Sequence, residues 1–252
     1  MNMAVAGPLD VFGGHSLADQ MQARLMNRVD TKFMVPTRLL GTCLRGLEHD
    51  YTMLEIEGSR RFTYDTLYFD TPGRRLYLDH HNGKLNRYKL RIRHYRETGA
   101  SFLEVKKKSN RARTIKNRLL LTSKTVAENR VFPFLEAQLG QPAAGMLPAL
   151  FVGYRRVTLM NAPGTERITL DTALAFHSAD RRCGVNLPEI AIVEVKYDRK
   201  VPFSPFLDRL GQLGCRPVQF SKYCVGTGLL FGHEYKTNRF KPLLRSLHGI
   251  CS

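Results

Sequence analysis

Acidic residues are scarce in this chain: 22 Asp and Glu stand against 39 Lys and Arg, a formal net charge of +17. Such a surplus points to an anionic partner, whether nucleic acid, an acidic membrane surface or phosphates, and says nothing of fold. Cysteine is sparse too, with Cys43, Cys183, Cys215, Cys224 and Cys251 scattered and odd in number. No Cys-x-x-Cys or Cys/His ligand spacing occurs, which argues against a structural zinc or a disulfide framework and for free thiols in a reducing cytosol. No apolar run reaches the length of a membrane span. Residues 1–14 lack the basic start and apolar core of a signal peptide, so the expected setting is cytoplasmic. The Gly-rich loop of P-loop nucleotide binders is missing, and no Ser/His/Asp or Cys/His arrangement supports covalent catalysis. The eight histidines show no metal-ligand spacing. Helix-turn-helix, zinc-finger and aromatic RNA-binding motifs are also absent, which counts against nucleic acid despite the charge.

What is present is enough to build a core, since 43% of the 252 residues are hydrophobic. Apolar spacing predicts a helix from Ser16 to about Asn27, carrying Leu17, Met21 and Leu25. A strand follows over 28–34. Pro36 and Thr37 then open a helix with Leu39, Leu40, Cys43, Leu44 and Leu47 as its stripe. Further strands are expected at 62–69, 87–96, 101–107, 113–121, 151–159, 166–171 and 189–197. Helices are expected around Leu76–Leu78, over 124–139 with a break at Pro133, from Ser204-Pro205 to about Leu213, and from Ser221 onward. The fold class is α+β: an eight-stranded, mostly antiparallel sheet with helices packed outside. The expected division is a flexible N-terminus over 1–15, one folded unit over 16–232, and a basic C-terminal tail over 233–252, loose or serving as a docking arm.

The charges fall on one face of these strands. Arg87, Lys89, Arg91 and Arg93 alternate with Tyr88, Leu90 and Ile92, so the four cations share a side. Neighbours lie roughly 6.7 Å apart, a repulsion of about 2.4 kcal/mol per pair at an effective dielectric of 20. The other strands behave alike. Asp30 and Lys32, Glu104 and Lys106, Lys116 and Arg118, Tyr154 and Arg156, Arg167 and Asp171, and Glu194 and Lys196 each oppose an apolar set. One such strand is an ordinary half-solvated strand. Six or seven suggest a closed sheet that turns its charged face into a wet lumen. A lumen of Arg and Lys suits a linear chain of phosphates, and the acids among them suit a divalent metal.

In chain order, Arg28-x-Asp30-x-Lys32, Leu67-Tyr-Phe-Asp-Thr71, Leu90-Arg-Ile-Arg93, Glu104-Val-Lys106, Glu194-Val-Lys196 and Ser221-Lys-Tyr223 resemble the VTC-type polyphosphate polymerase domain, one of the CYTH-like triphosphate tunnel metalloenzymes. The resemblance spans roughly residues 20–232. It implies an eight-stranded closed tunnel in which the terminal phosphate of ATP passes to a growing polyphosphate chain, assisted by Mn2+ or Mg2+. It also implies catalytic roles for Lys32, Arg91, Arg93, Lys106, Glu194 and Lys196, with Glu194 as metal ligand. Arg156, Arg167 and Lys222 would bind phosphate, with Tyr154 and Ser221 as weaker contacts and Arg118 placed by strand register. The expected partners are ATP and polyphosphate, plus a membrane protein that brings this chain to the inner face of a membrane. The alternatives are a triphosphatase of the same fold and a non-catalytic polyphosphate-binding module. Hydrolysing relatives carry more acids on the first strand than the single Asp30 found here, which favours the polymerase.

Overall fold

The computed structural model describes residues 9–23, 28–110, 114–140, 143, 145–198 and 203–251. The chain opens with β1 (Gly14–His15), α1 (Leu17–Gln22), β2 (Arg28–Pro36), α2 (Leu40–Leu44), β3 (Tyr51–Leu54), β4 (Phe62–Asp70) and α3 (Arg75–His81). Then come β5 (Arg87–Tyr95), β6 (Ser101–Lys108), β7 (Thr114–Leu121), α4 (Ser123–Ala127) and α5 (Val131–Leu139). The rest is β8 (Leu147–Asn161), β9 (Glu166–Ser178), β10 (Gly184–Leu187), β11 (Ile190–Asp198), α6 (Pro205–Gln212), α7 (Lys222–Phe231) and α8 (Lys241–Cys251).

All eleven strands join one sheet, whose main path runs β2-β11-β9-β8-β4-β5-β6-β7. Every pairing along that path is antiparallel. The eight expected strands are these eight. The expected hydrogen-bonded closure is not found: among the described residues β2 and β7 end the path without pairing to each other. Alternation fixes which face of each strand is charged, whereas closure depends on curvature and stagger accumulated over the whole sheet.

Helices cover the apolar face in two places. Phe33, Val35, Ile168, Leu170, Val193 and Val195 pack with Leu40 and Leu44 of α2 and Phe206 and Leu210 of α6. Leu90, Leu103 and Val105 pack with Leu76 of α3 and Leu135 and Leu139 of α5. The break expected near Pro133 separates α4 from α5, and Pro133 itself falls in the first turn of α5, where a missing N–H costs nothing.

One helix departs from the expectation that all lie outside. Tyr223 of α7 stacks on Tyr68, with ring centroids 5.0 Å apart. Tyr68 pairs in register with Arg91 and Leu150, so α7 rests on the charged face. It can do so because that face turns apolar at one end, where Leu150, Val152, Phe176, Ile190 and Ile192 join Tyr223, Cys224 and Val225 in a single core. Gly226 makes the close approach possible: a Cβ there would meet Phe176 Cδ1 at 2.5 Å and Leu150 Cδ2 at 2.7 Å.

Both ends of the chain pack. Leu9 and Phe12 are buried in the core around α2, although they lie in the segment expected to be flexible. The basic tail docks: Leu247 is buried and Tyr235, Phe240, Leu243 and Leu244 pack beside α7. α1 begins at its Ser16 cap but ends at Gln22, and Leu17 and Met21 on it are exposed. Leu25, Arg111 and Arg113 lie outside the described residues.

Candidate active site

Three carboxylates organise the charged face, Glu104 and Asp171 buried and Glu194 half-buried, and each is shared by more than one cation. Glu104 on β6 sits in register opposite Arg91. It accepts from Arg91 Nε at 2.7 Å, lies 4.0 Å from Arg93 and 2.5 Å from Lys116 Nζ. Burial alone pushes Glu104 up, but Arg91, Arg93 and Lys116 outweigh it and hold the carboxyl down at about 2. Asp171 on β9 accepts two bonds from Arg156, at 2.5 and 2.7 Å, and a further one from Lys222. It too is pushed up by burial and brought down to about 2 by Arg156 and Lys222. Glu194 on β11 faces Lys32 at 3.8 Å and Lys196 at 2.8 Å, and Lys196 reaches on to Asp30 at 3.2 Å. Burial works against its charge, and Lys32 and Lys196 carry it well below the usual carboxylate range.

Two lysines remain beyond these clusters. Lys89 Nζ donates to Ser221 Oγ at 2.9 Å, and Lys106 opens onto the cavity. Both are depressed to about 8. Burial is the largest cause for each. Lys32 adds to both, and Lys89 acts on Lys106. Lys106 keeps exposed surface where it lines the cavity. Asp30 and Lys32 of β2, Glu194 of β11, and Lys89, Lys106 and Thr114 of β5–β7 line one cavity of about 370 Å³. The sheet therefore curls until its two ends face each other across this space.

The helix laid on the charged face completes the site. Ser221 caps α7, accepting from Cys224 N at 3.4 Å, and this directs the helix N-terminus, where anions are favoured, toward Lys89. Some buried polar groups of the charged face are left without partners. Thr66 Oγ1, Arg93 Nε, Tyr154 Oη and Thr169 Oγ1 are buried and unpartnered, and register puts all four on the charged face. Buried polar atoms without partners are costly and uncommon. None of the four residues lines the cavity, so their cost falls in the packed part of that face.

Of the residues singled out from sequence, Lys32, Glu194 and Lys196 come together at one cluster, Arg91 and Arg93 at a second, and Arg156 and Lys222 at a third. Lys106 and Ser221 line the cavity together with Lys32 and Glu194, and the residues of the second and third clusters do not line it. Tyr154 stacks on Tyr64 at 5.1 Å and lies beneath Lys222 Nζ. Arg167 pairs in register with Lys196 on the same face. Arg118 is opposite Glu104 in register yet leans over Phe102 at 4.8 Å, and Lys116 takes the carboxylate instead. Lys89 was legible in the alternation of β5 but belongs to no motif. Asp171 and Glu104 were visible as face residues, while their role as shared anchors needed the third dimension. Asp70, in the Leu67–Thr71 motif, is structural: it accepts from Leu76 N, Tyr77 N and Tyr223 Oη, tying α3 to α7.

No group of three or more His, Cys, Asp or Glu converges among the described residues. Glu194 and Asp30, bridged by Lys196, are two oxygen donors facing a polar cavity. That donor set fits a Mg2+- or Mn2+-like ion, which binds through one or two carboxylates and takes its other oxygens from phosphate and water.

The family model described as VTC domain matches residues 27–231. No curated protein matches the chain. Among solved structures, an adenylyl cyclase candidate from Hippeastrum described as having a dominant triphosphatase activity is 15% identical, covering 82% of this chain and 97% of its own, with a TM-score of 0.51. An adenylate cyclase candidate from Vibrio parahaemolyticus is 13% identical over 79% and 96%, at 0.46. The PH1819 protein from Pyrococcus horikoshii OT3 is 15% identical over 78% and 93%, at 0.44. At these identities the likeness is one of fold.

Proposed function

The chain belongs to the VTC domain family, and on that premise we propose that it is a polyphosphate polymerase, passing the terminal phosphate of ATP to a growing polyphosphate chain. The observation that carries the reading is the sharing of three carboxylates, two buried and one half-buried, among a larger set of cations on one face, with Lys89 and Lys106 left over. A site that neutralised itself would need no ligand. This one keeps a surplus of positive charge that a linear polyanion offsets.

Phosphoryl transfer needs positioning and charge neutralisation more than covalent chemistry. Arg91 and Arg93, pre-set by Glu104, would grip phosphate oxygens in the forked manner guanidinium allows. Arg156 and Lys222, held by Asp171, would take the adjoining phosphate, with Arg167, Tyr154, Arg118 and Ser221 as flanking contacts. Lys32, Lys106 and Lys196 surround the Glu194 end, where they would neutralise charge on the transferring group and the leaving diphosphate. Glu194, with Asp30 beside it, would hold a divalent ion, which when bound would supply Lewis-acid stabilisation of the negative charge on the phosphates. The acceptor is the terminal phosphate of the polymer, aligned along the same ladder. No helix among the described residues is long and apolar enough to cross a membrane, so placement at a membrane would come from a partner protein. The family relation supports the tunnel-type chemistry, and the Hippeastrum relative's triphosphatase activity makes hydrolysis the competing outcome.

The test is direct. Purified protein is given ATP and Mn2+, with and without a short polyphosphate primer, and the products are resolved on a gel stained for polyphosphate. A metal-dependent ladder is expected, abolished by Glu194→Gln and reduced on the order of 10²–10³-fold by Arg91→Ala. Orthophosphate without a ladder would make the protein a triphosphatase, and binding of polyphosphate with neither product would leave a binding module.

A further inference from the structure

Beyond Lys89 the cavity continues to an outer end lined by His80, Arg87, Lys108 and Arg239. Arg87 is two residues upstream of Lys89 on β5 and stands opposite Lys108 in register, so it extends the row of cations by one more step. It is firmly held. Its Nε donates to His80 Nδ1 at 3.0 Å, and one terminal nitrogen donates to the Lys84 carbonyl at 2.8 Å. His80 Nε2 in turn faces the Tyr88 carbonyl at 3.1 Å, which requires a neutral ring with its proton on Nε2. Burial and Lys89 pull this histidine down to about 3, so it stays neutral throughout the working range. The other terminal nitrogen of Arg87 makes neither bond.

Arg239 reaches the same opening from a segment past the last residue of the family match. The fold places it. Its backbone N–H donates to His81 Nε2 and a guanidinium nitrogen to the His81 carbonyl, both at 3.3 Å. The guanidinium lies against Gly83, whose φ of +70° and missing Cβ leave room for it. Tyr77 Oη donates to the Lys236 carbonyl at 2.7 Å, and Phe240 packs on Tyr77 and His81. Among the described residues, the carboxylates lining the cavity are Asp30 and Glu194, both engaged by Lys196. Among the described residues that line it, the outer end is cationic and carries no acid.

We propose that Arg87 and Arg239 form a second phosphate subsite at the mouth of the cavity, which holds the polymer beyond the phosphates gripped inside and gives the protein a preference for long chains. The inference rests on the phosphate-chain reading above. From Arg93 to Arg87 the cations of β5 span about 20 Å, so a short polyphosphate bound at the inner end does not reach the mouth.

The test measures binding, not turnover. Tripolyphosphate, ATP and long inorganic polyphosphate are titrated into the intact wild type, Arg87→Gln, Arg239→Gln and, as a control for lost net charge, Arg182→Gln on an exposed turn. The expected result is about tenfold weaker binding of long polyphosphate by each mouth variant, the loss of one charge-assisted bond. Tripolyphosphate should stay within about twofold, and Arg182→Gln should change nothing. Equal weakening of all three ligands, or no weakening of the long polymer, overturns the subsite. Weakening of ATP as large as that of the polymer assigns the mouth to a nucleotide and overturns the polymer preference. A wild type that binds none of the three overturns the phosphate-chain reading itself, a failure distinct from that of the mouth.

Discussion

At the scale of single residues, the cations are ordered by three acids. Asp171 is 2% exposed and carries Arg156 and Lys222 together. Replacing it with Asn would take from two half-buried cations the carboxylate they share, and breaking a buried pair in this way typically costs up to about 3–5 kcal/mol. Asp171→Asn is therefore expected to melt well below the wild type, and polyphosphate should recover more of the lost stability in the variant than it adds to the wild type. A differential scanning measurement with and without ligand checks this, and equal ligand effects in both proteins would contradict it. Glu104 differs, because Arg91, Arg93 and Lys116 all share it. Removing one of these cations leaves the carboxylate partnered, so Arg91→Ala tests catalysis with little confusion from unfolding.

At the scale of elements, α7 is the decisive piece. It lies on the charged face, and its N-terminus carries Ser221 and Lys222 to Lys89 and Asp171. Its seating depends on the absence of a side chain at Gly226 and on Tyr223 Oη donating to Asp70 at 2.5 Å. Gly226→Ala forces Phe176 and Leu150 to move, an overpacking that costs about 1–3 kcal/mol. At about 2–4 °C per kcal/mol for a chain of this size, the melting temperature should fall by several degrees. Phosphate affinity should fall with it, because a displaced helix carries Lys222 away from Asp171. A variant destabilised to that degree with unchanged affinity would show that helix seating and the site are independent.

At the scale of the whole molecule, the curled sheet places like charges close together, and the protein responds by lowering lysine pKa values. Lys89 and Lys106 stand at about 8, pulled down by burial and by neighbours that include Lys32, Lys196, Arg87 and Arg91, against the opposing pull of Glu194 on Lys106. Between about pH 8 and the ordinary lysine range the unfolded chain binds more protons than the folded one, so these two groups make the empty protein more stable as pH rises through that window. Polyphosphate binding runs the opposite way, since it favours the protonated lysines and weakens once they lose charge. The rise in melting temperature produced by polyphosphate should therefore be larger at pH 7 than at pH 9.5. Melts at the two values decide it, and an equal or greater rise at the higher pH would exclude these lysines from binding.

Period-two alternation and capping are local properties of the chain, and they made legible the strands of the main sheet path, the face of each that carries charge, the caps at Ser16 and Ser204, the helix start at Ser221, and many residues gathered at the candidate site. Lys32, Arg91, Arg93, Glu194 and Lys196 were legible for that reason. The rest was not legible in the sequence. That the sheet curls without β2 and β7 pairing, that α7 lies on the charged face, that Lys116 and not Arg118 takes Glu104, that Asp70 is an anchor, and that the basic tail docks and brings Arg239 to the cavity all depend on contacts between residues far apart in sequence. Alternation states which side of a strand a residue occupies. Which residue meets it from across the space is set by the twist and stagger of the whole sheet, and no local pattern encodes that.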